Sequence, residues 1–125
     1  MKELATRFLK IAAVYFVIAI VLGIIMGITK AFAYASVHAH LNLAGWVTLA
    51  IIGLIYRAYP QAAQNKLASW HFWLHNIGLP VMQGSLFLML LTEVETFVVG
   101  TIIGSLVLGV GIFLFAINLW KNASE

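Results

Sequence analysis

Cysteine is absent from the 125 residues, which excludes disulfides, thiolate-held metals, covalently attached haem and iron–sulfur clusters. Charge is scarce as well: 9% of the residues are charged, against about 25% in a soluble domain. The acids are Glu3, Glu93, Glu95 and Glu125, at the chain ends or in an expected loop, so no carboxylate sits deep in an apolar run. Proline is confined to Pro60 and Pro80, and no linker, low-complexity tract or second domain is visible. The chemistry that remains inside the apolar runs is imidazole and amide.

What is present is apolar length. Hydrophobic residues make up 63% of the chain and its mean hydropathy is strongly positive. Four runs stand out, at 8–28, 32–56, 68–91 and 94–120. Each has about the 20 residues that cross a ~30 Å hydrocarbon core as a helix. The expected fold is therefore all-α: one four-helix transmembrane domain over 1–125, in an antiparallel bundle. The first run is read as a membrane helix rather than a signal peptide, although Ala31-Phe32-Ala33 and Ala33-Tyr34-Ala35 imitate a cleavage site; it is too long for an h-region.

Charge gives the expected orientation. Lys2, Arg7, Lys10, Arg57, Lys66 and Lys121 fall on one side, six of the seven cations, and Lys30 lies with Glu93 and Glu95 on the other. The positive-inside rule then predicts cytoplasmic termini in a multi-pass protein of the cytoplasmic (inner) membrane. The basic balance reports topology. The partner it implies is the lipid bilayer, with no nucleic-acid partner, because no basic surface interleaved with aromatics occurs.

Ionisable side chains inside membrane spans are rare and mark sites. The second run carries Val37-His38-Ala39-His40-Leu41-Asn42-Leu43-Ala44-Gly45-Trp46. At 100° per residue His38 and His40 point roughly 200° apart, so they serve different sites and not one small ion. Asn42 lies one turn from His38 on the same face, placed to orient it, and Gly45 leaves a gap for a flat ligand or another helix. Tyr56, Arg57, Tyr59 and Pro60 read as the aromatic belt and terminator of that span. The third run opens Trp70-His71-Phe72-Trp73-Leu74-His75-Asn76. His71 and His75 are four apart on one face, a spacing that chelates a metal.

Each has a plainer reading. His38 and His40 can be packing residues bonded to carbonyls or interfacial water. For His71 and His75 that reading is the favoured one, with His71 in the headgroup region beside Trp70 and Trp73. Gly23 and Gly27 give GxxxG spacing, Gly100, Gly104, Gly109 and Gly111 suit close packing with a helix or subunit, Pro80 should kink its helix, and Gln83 with Ser85 gives polar glue. Glu93 and Glu95 read as a solvated outer loop, with cation or proton entry as their alternative. Imidazole suits haem iron, copper or zinc, and haem fits best because its apolar macrocycle needs a lipid-level slot with an axial nitrogen. His40 near one end of its span and His75 near the other end of the next should lie on the order of 15 Å apart, so a second ligand for His40 is expected from another chain.

Residues 37–60, VHAHLNLAGWVTLAIIGLIYRAYP, resemble the tenth transmembrane helix of the catalytic subunit of haem–copper oxidases, nearest to the C-type oxidases and nitric oxide reductases. Residues 70–78, WHFWLHNIG, resemble the start of the family's next helix. H-x-H alone is a weak signal; with HFWL about 30 residues later it is fairly specific. The resemblance implies that His38 corresponds to the proximal ligand of the high-spin haem and His40 to an axial ligand of the low-spin haem. His75 matches no family ligand, and the helices bearing the copper ligands and the low-spin haem's other histidine have no counterpart here. The family's helices form three four-helix arcs about a pseudo-threefold axis, and this chain is similar to one arc. That implies a homotrimer rebuilding the full ring.

The expectation is therefore a membrane b-type haem protein that transfers electrons or binds O2 or NO, served by a respiratory electron donor. If it is an enzyme, the resemblance implies an oxidoreductase of the haem–copper type. The alternative is an assembly protein that holds copper or haem through His38, His40, His71 and His75 for a respiratory oxidase, or an interaction subunit whose histidines only pack.

Overall fold

The computed structural model describes residues 2–124, and those residues form an all-helical bundle with no strand among them. Helix α1 is Lys2–Thr29. The second span is built in pieces: a 3-10 turn Phe32–Tyr34, helix α2 Ala35–His40, a π-helical stretch Leu41–Val47, and helix α3 Thr48–Ala58. Helix α4, Pro60–Ala63, is one turn that leads to α5, Lys66–Thr92; a 3-10 turn Glu95–Phe97 leads to α6, Val98–Asn122. Glu3–Thr29, Phe32–Ala58, Lys66–Thr92 and Glu95–Asn122 are each long and apolar enough to cross a membrane. Helix α1 begins well before the apolar run, and its first turns carry Glu3, Arg7 and Lys10, all exposed.

Local chemistry fixes the junctions. Lys30 at φ 58° and Glu93 at φ 60° are left-handed and end α1 and α5; the Ala31 N–H then reaches the Met26 carbonyl at 3.1 Å and the Glu93 N–H the Met89 carbonyl at 2.9 Å. Tyr59 leaves the helical region before Pro60, as a residue preceding proline should. Asn65 caps α5, its Oδ1 accepting from the Ala68 N–H at 3.0 Å. Pro80 lies inside α5, which runs through it without a break.

The chain ends and α4 share one end of the bundle; Lys30 and Glu93 mark the other. Helix α1 packs on the second span and α5 on α6. Near the termini the core gathers Phe8, Leu49, Ile52, Tyr56 and Phe72, and in the other half Ala19, Val37 and Leu41. The α5–α6 contact depends on missing side chains: a Cβ at Gly78 would meet the Leu108 backbone, and one at Gly104 the Met82 backbone. Gly111 meets Leu74 and His75 in the same way, whereas Gly109 faces open space, so three of the four α6 glycines serve this pair. The outer faces are apolar, with Val17, Ile25, Leu54, Leu106 and Phe113 exposed. A water-soluble bundle would carry its polar residues there. Glu93 and Glu95 are exposed beside the short turn between α5 and α6.

Candidate functional site

The histidines fall into two groups with opposite surroundings. His38 and His40 follow the first turn of α2. The His38 Nδ1 lies 2.9 Å from the Ala19 carbonyl of α1, and the His40 Nδ1 lies 2.8 Å from the Ser36 carbonyl one turn back. A carbonyl only accepts, so in both rings the proton is on Nδ1 and Nε2 keeps a bare lone pair. The Ser36 hydroxyl also approaches the His40 Nδ1, at 3.4 Å. His38 is half-buried and rests on α1 at Gly23, where a Cβ would come 2.7 Å from its Cε1. Gly23 is thus a seat for an imidazole, and Gly27 contacts nothing. His40 is exposed on the outer face.

The neighbours expected to assist these rings do something else. The Asn42 amide donates to the His38 backbone carbonyl at 3.2 Å, so it steadies the helix turn and not the imidazole. The space at Gly45 is filled by Tyr15 of α1, whose Cγ lies 2.8 Å from where a Cβ would stand. The occupant of that gap is a side chain of a packed helix. The π-helical stretch surrounds both positions, and the Thr48 hydroxyl bonds the Leu43 carbonyl within it. Such stretches occur frequently at functional sites.

His71 and His75 lie on the inward face of α5 and are both fully buried, so both are core residues of the bundle. The His71 Nε2 and His75 Nδ1 are 3.1 Å apart. The other two ring nitrogens are also engaged. The Tyr56 hydroxyl lies 3.2 Å from the His71 Nδ1, and the His75 Nε2 lies 2.9 Å from the Ala44 carbonyl. Tyr56 is 1% exposed, which takes it out of the aromatic belt and into the core. The pair is walled by Phe8, stacked on His71 at 5.3 Å, and by Phe115 at 5.1 Å.

The carbonyl fixes the direction of the whole chain. Ala44 can only accept, so His75 carries its proton on Nε2 and its Nδ1 accepts. His71 must then donate from Nε2, which leaves its Nδ1 to accept from the Tyr56 O–H. One polarity satisfies every group: Tyr56 to His71, His71 to His75, His75 to Ala44. With all four nitrogens used internally, neither ring offers a free lone pair as packed here. Among the described residues no group of three His, Cys, Asp or Glu side chains comes together.

Asn118 and Asn65, which belong to no motif, form a second polar cluster. Asn118 is a fully buried amide in α6. It donates to the Ala62 carbonyl at 2.7 Å, and its Oδ1 accepts from Asn65 at 2.8 Å and Asn122 at 2.9 Å. The same amide stands beside the Tyr56 hydroxyl. Its signal was available: an amide three residues before Lys121 in an otherwise apolar helix needs partners from another segment. Gln83, expected to bridge helices, is buried with no partner for its Oε1, and Ser85 instead packs at Gly100.

The fold and these two histidine groups define a class of protein, an all-helical bundle whose four long helices can each cross a membrane. No protein family, curated protein or solved structure matches the chain.

Proposed function

We propose that this chain is a b-type haem-binding protein of the cytoplasmic membrane that transfers electrons or binds a diatomic gas, and that it works as a homo-oligomer, with a trimer favoured. The observation that carries this reading is His40. Its Nδ1–H is held by the Ser36 carbonyl, its Nε2 is bare, and it is exposed on an otherwise apolar outer face. His40 is the ninth residue of the Phe32–Ala58 span, about 12 Å in from its end at 1.5 Å per residue. An imidazole left against hydrocarbon at that depth has no partner for its lone pair, which is a substantial desolvation penalty. A metal ion would remove the penalty, and iron suits a neutral imidazole whose other nitrogen is fixed by a carbonyl.

His40 would hold the haem on the outer face of the bundle, with a neighbouring copy completing the site. His38 has the same tautomer but rests on Gly23, which makes it the second candidate ligand. Bound there, the haem supplies a one-electron couple or an open coordination position. The chain supplies a bare nitrogen, a fixed ring plane and an apolar surround. Copper is the other metal suited to these nitrogens. Arg7, Lys10, Arg57, Lys66 and Lys121 gather at the end bearing the termini, which supports placing that end in the cytoplasm. The resemblance to the haem–copper oxidase helix at 37–60 agrees with His38 and His40 as the two ligand positions.

Absorption spectra of the purified protein, oxidised and dithionite-reduced, test the reading. A Soret band with sharp reduced α and β bands, lost in His40→Ala while the helical content stays, is expected. A protein that stays colourless after haem is supplied refutes the haem reading and moves attention to copper. A monomeric mass in mild detergent refutes the shared site.

A further inference from the structure

We propose that the groove between α1, the second span and α5 is a binding site for an isoprenoid quinone, whose ring oxygen is held by Gln83 and Tyr15. The groove has a volume of about 530 Å³ and is lined by Tyr15, Val21, Val37, Leu41, Gln83 and Phe87 among others. Small-molecule sites occupy ~300–1,000 Å³, are mostly apolar and carry a few polar groups that fix orientation. Gln83 is the observation that points to a ligand. It lines the groove, is 3% exposed, and its Oε1 has no hydrogen-bond partner. A buried amide left unbonded is costly, and hydrocarbon cannot satisfy it. The Tyr15 hydroxyl also makes no hydrogen bond among the described residues.

The surroundings select the ligand. At 1.5 Å per residue Tyr15 lies about 18 Å, and Gln83 about 14 Å, from the nearer end of its span. A phospholipid headgroup or a sterol hydroxyl stays with water at the interface and does not reach that depth. Among the described residues that line the groove, Tyr15 carries the only ionisable group, so a fatty acid or an amine would bring an unpaired charge into hydrocarbon. The ligand is therefore neutral and weakly polar.

A phenol and an amide each donate and accept, and the last torsion of a glutamine is soft enough to present either end. The pair thus serves a ring carbonyl and, in the reduced form, a ring hydroxyl. Pro80 and Gly84 stand four apart on α5 beside Gln83, and a Cβ at Gly84 would meet nothing within 4 Å, which leaves room for a flat ring. The prenyl tail runs along Val17, Val21 and Ile25, which stand four apart on α1 and are exposed. The proposal concerns binding alone, and neither it nor its test depends on haem.

The glutamines of the chain are Gln61, Gln64 and Gln83, so the Gln83 side-chain amide can be followed by NMR with two internal controls. The full chain, labelled with 15N-glutamine and held in lipid nanodiscs, is titrated with decyl-benzoquinone, and in parallel with decane; Gln83→Leu assigns the signal. The Gln83 amide should shift and saturate with the quinone while Gln61 and Gln64 stay in place. Gly84→Leu, which fills the open space, should abolish the shift. Tyr15→Phe, which removes only the hydroxyl, should weaken binding about tenfold. The absence of a saturable shift in the wild-type chain overturns the proposal, a result that needs no variant to fold. So does an equal shift with decane, which marks apolar filling only, and so does unchanged affinity in either variant. A Gln83 signal that follows the number of chains per disc and ignores the quinone assigns the groove to a second copy, and overturns it as well.

Discussion

Tyr56→Phe should change sign with its background, and the sign follows from counting unpaired buried groups. In the native chain it removes the donor to the His71 Nδ1 and leaves one buried acceptor bare, a penalty of about 1–3 kcal/mol. His71→Phe keeps the ring packed between Phe8 and Phe115 but strands two groups, the Tyr56 O–H and the His75 Nδ1, for about 2–6 kcal/mol. The Tyr56 hydroxyl finds no ready replacement in Asn118, whose Oδ1 already accepts from Asn65 and Asn122. Adding Tyr56→Phe to His71→Phe deletes one of the stranded groups, so the double variant should be more stable than His71→Phe alone by about 1–3 kcal/mol. Reversible unfolding in mixed micelles, monitored by far-UV circular dichroism, measures all four corners of the cycle. A Tyr56→Phe penalty of the same sign and size in both backgrounds would refute the counting, and with it the assigned direction of the hydrogen bonds.

Gly104→Ala should separate α5 from α6, because the new methyl would collide with the Met82 backbone, and the expected loss is about 1–3 kcal/mol in the same assay. Gly109→Ala meets nothing and should be neutral or stabilising by up to about 1 kcal/mol, as a mid-helix glycine replacement. Asn65→Ala removes the α5 cap and one donor to Asn118, so it should destabilise by about 1–3 kcal/mol; a midpoint equal to wild type would show that the amide cluster carries no weight. Glu93→Gly relieves a left-handed glutamate and should raise the midpoint by the equivalent of about 1 kcal/mol, with no effect on any haem spectrum.

The four helices were legible because length and apolarity alone specify them, and the two ends of the chain share one side because the number of spans is even. The histidines were legible as exceptions in an apolar background. What they do was less so. Periodicity put His38 and His40 on opposite faces, and one does lean on α1 while the other faces outward, since that depends only on the turn of the helix. It also put Gly45 beside a gap, but which group fills a gap is decided by another helix, and Tyr15 is 30 residues away. Tyr56 and His71 read as interfacial because Arg57, Trp70 and Trp73 adjoin them. Their neighbours in space are Phe8 and Phe115, and no local pattern announces them. The π-helical stretch had no sequence signal that the periodicity could register.

That stretch sets the angular phase of the second span. A π turn accommodates an extra residue relative to an α-helix, so everything before it is rotated by roughly 100° against everything after it. His38 and His40 lie before Leu41–Val47, and Tyr56 lies after it. Deleting one residue inside the stretch would restore a regular helix and leave Tyr56 against His71, while the two upper imidazoles swing around the bundle like a key turned in its barrel. His40 would move off its outward bearing and His38 off its seat at Gly23. Tyr56 and the outer imidazoles are therefore joined by an adjustable coupling, in which one inserted residue re-aims the imidazoles while Tyr56 keeps its place on His71; the Ala44 carbonyl that closes the inner line belongs to the coupling itself.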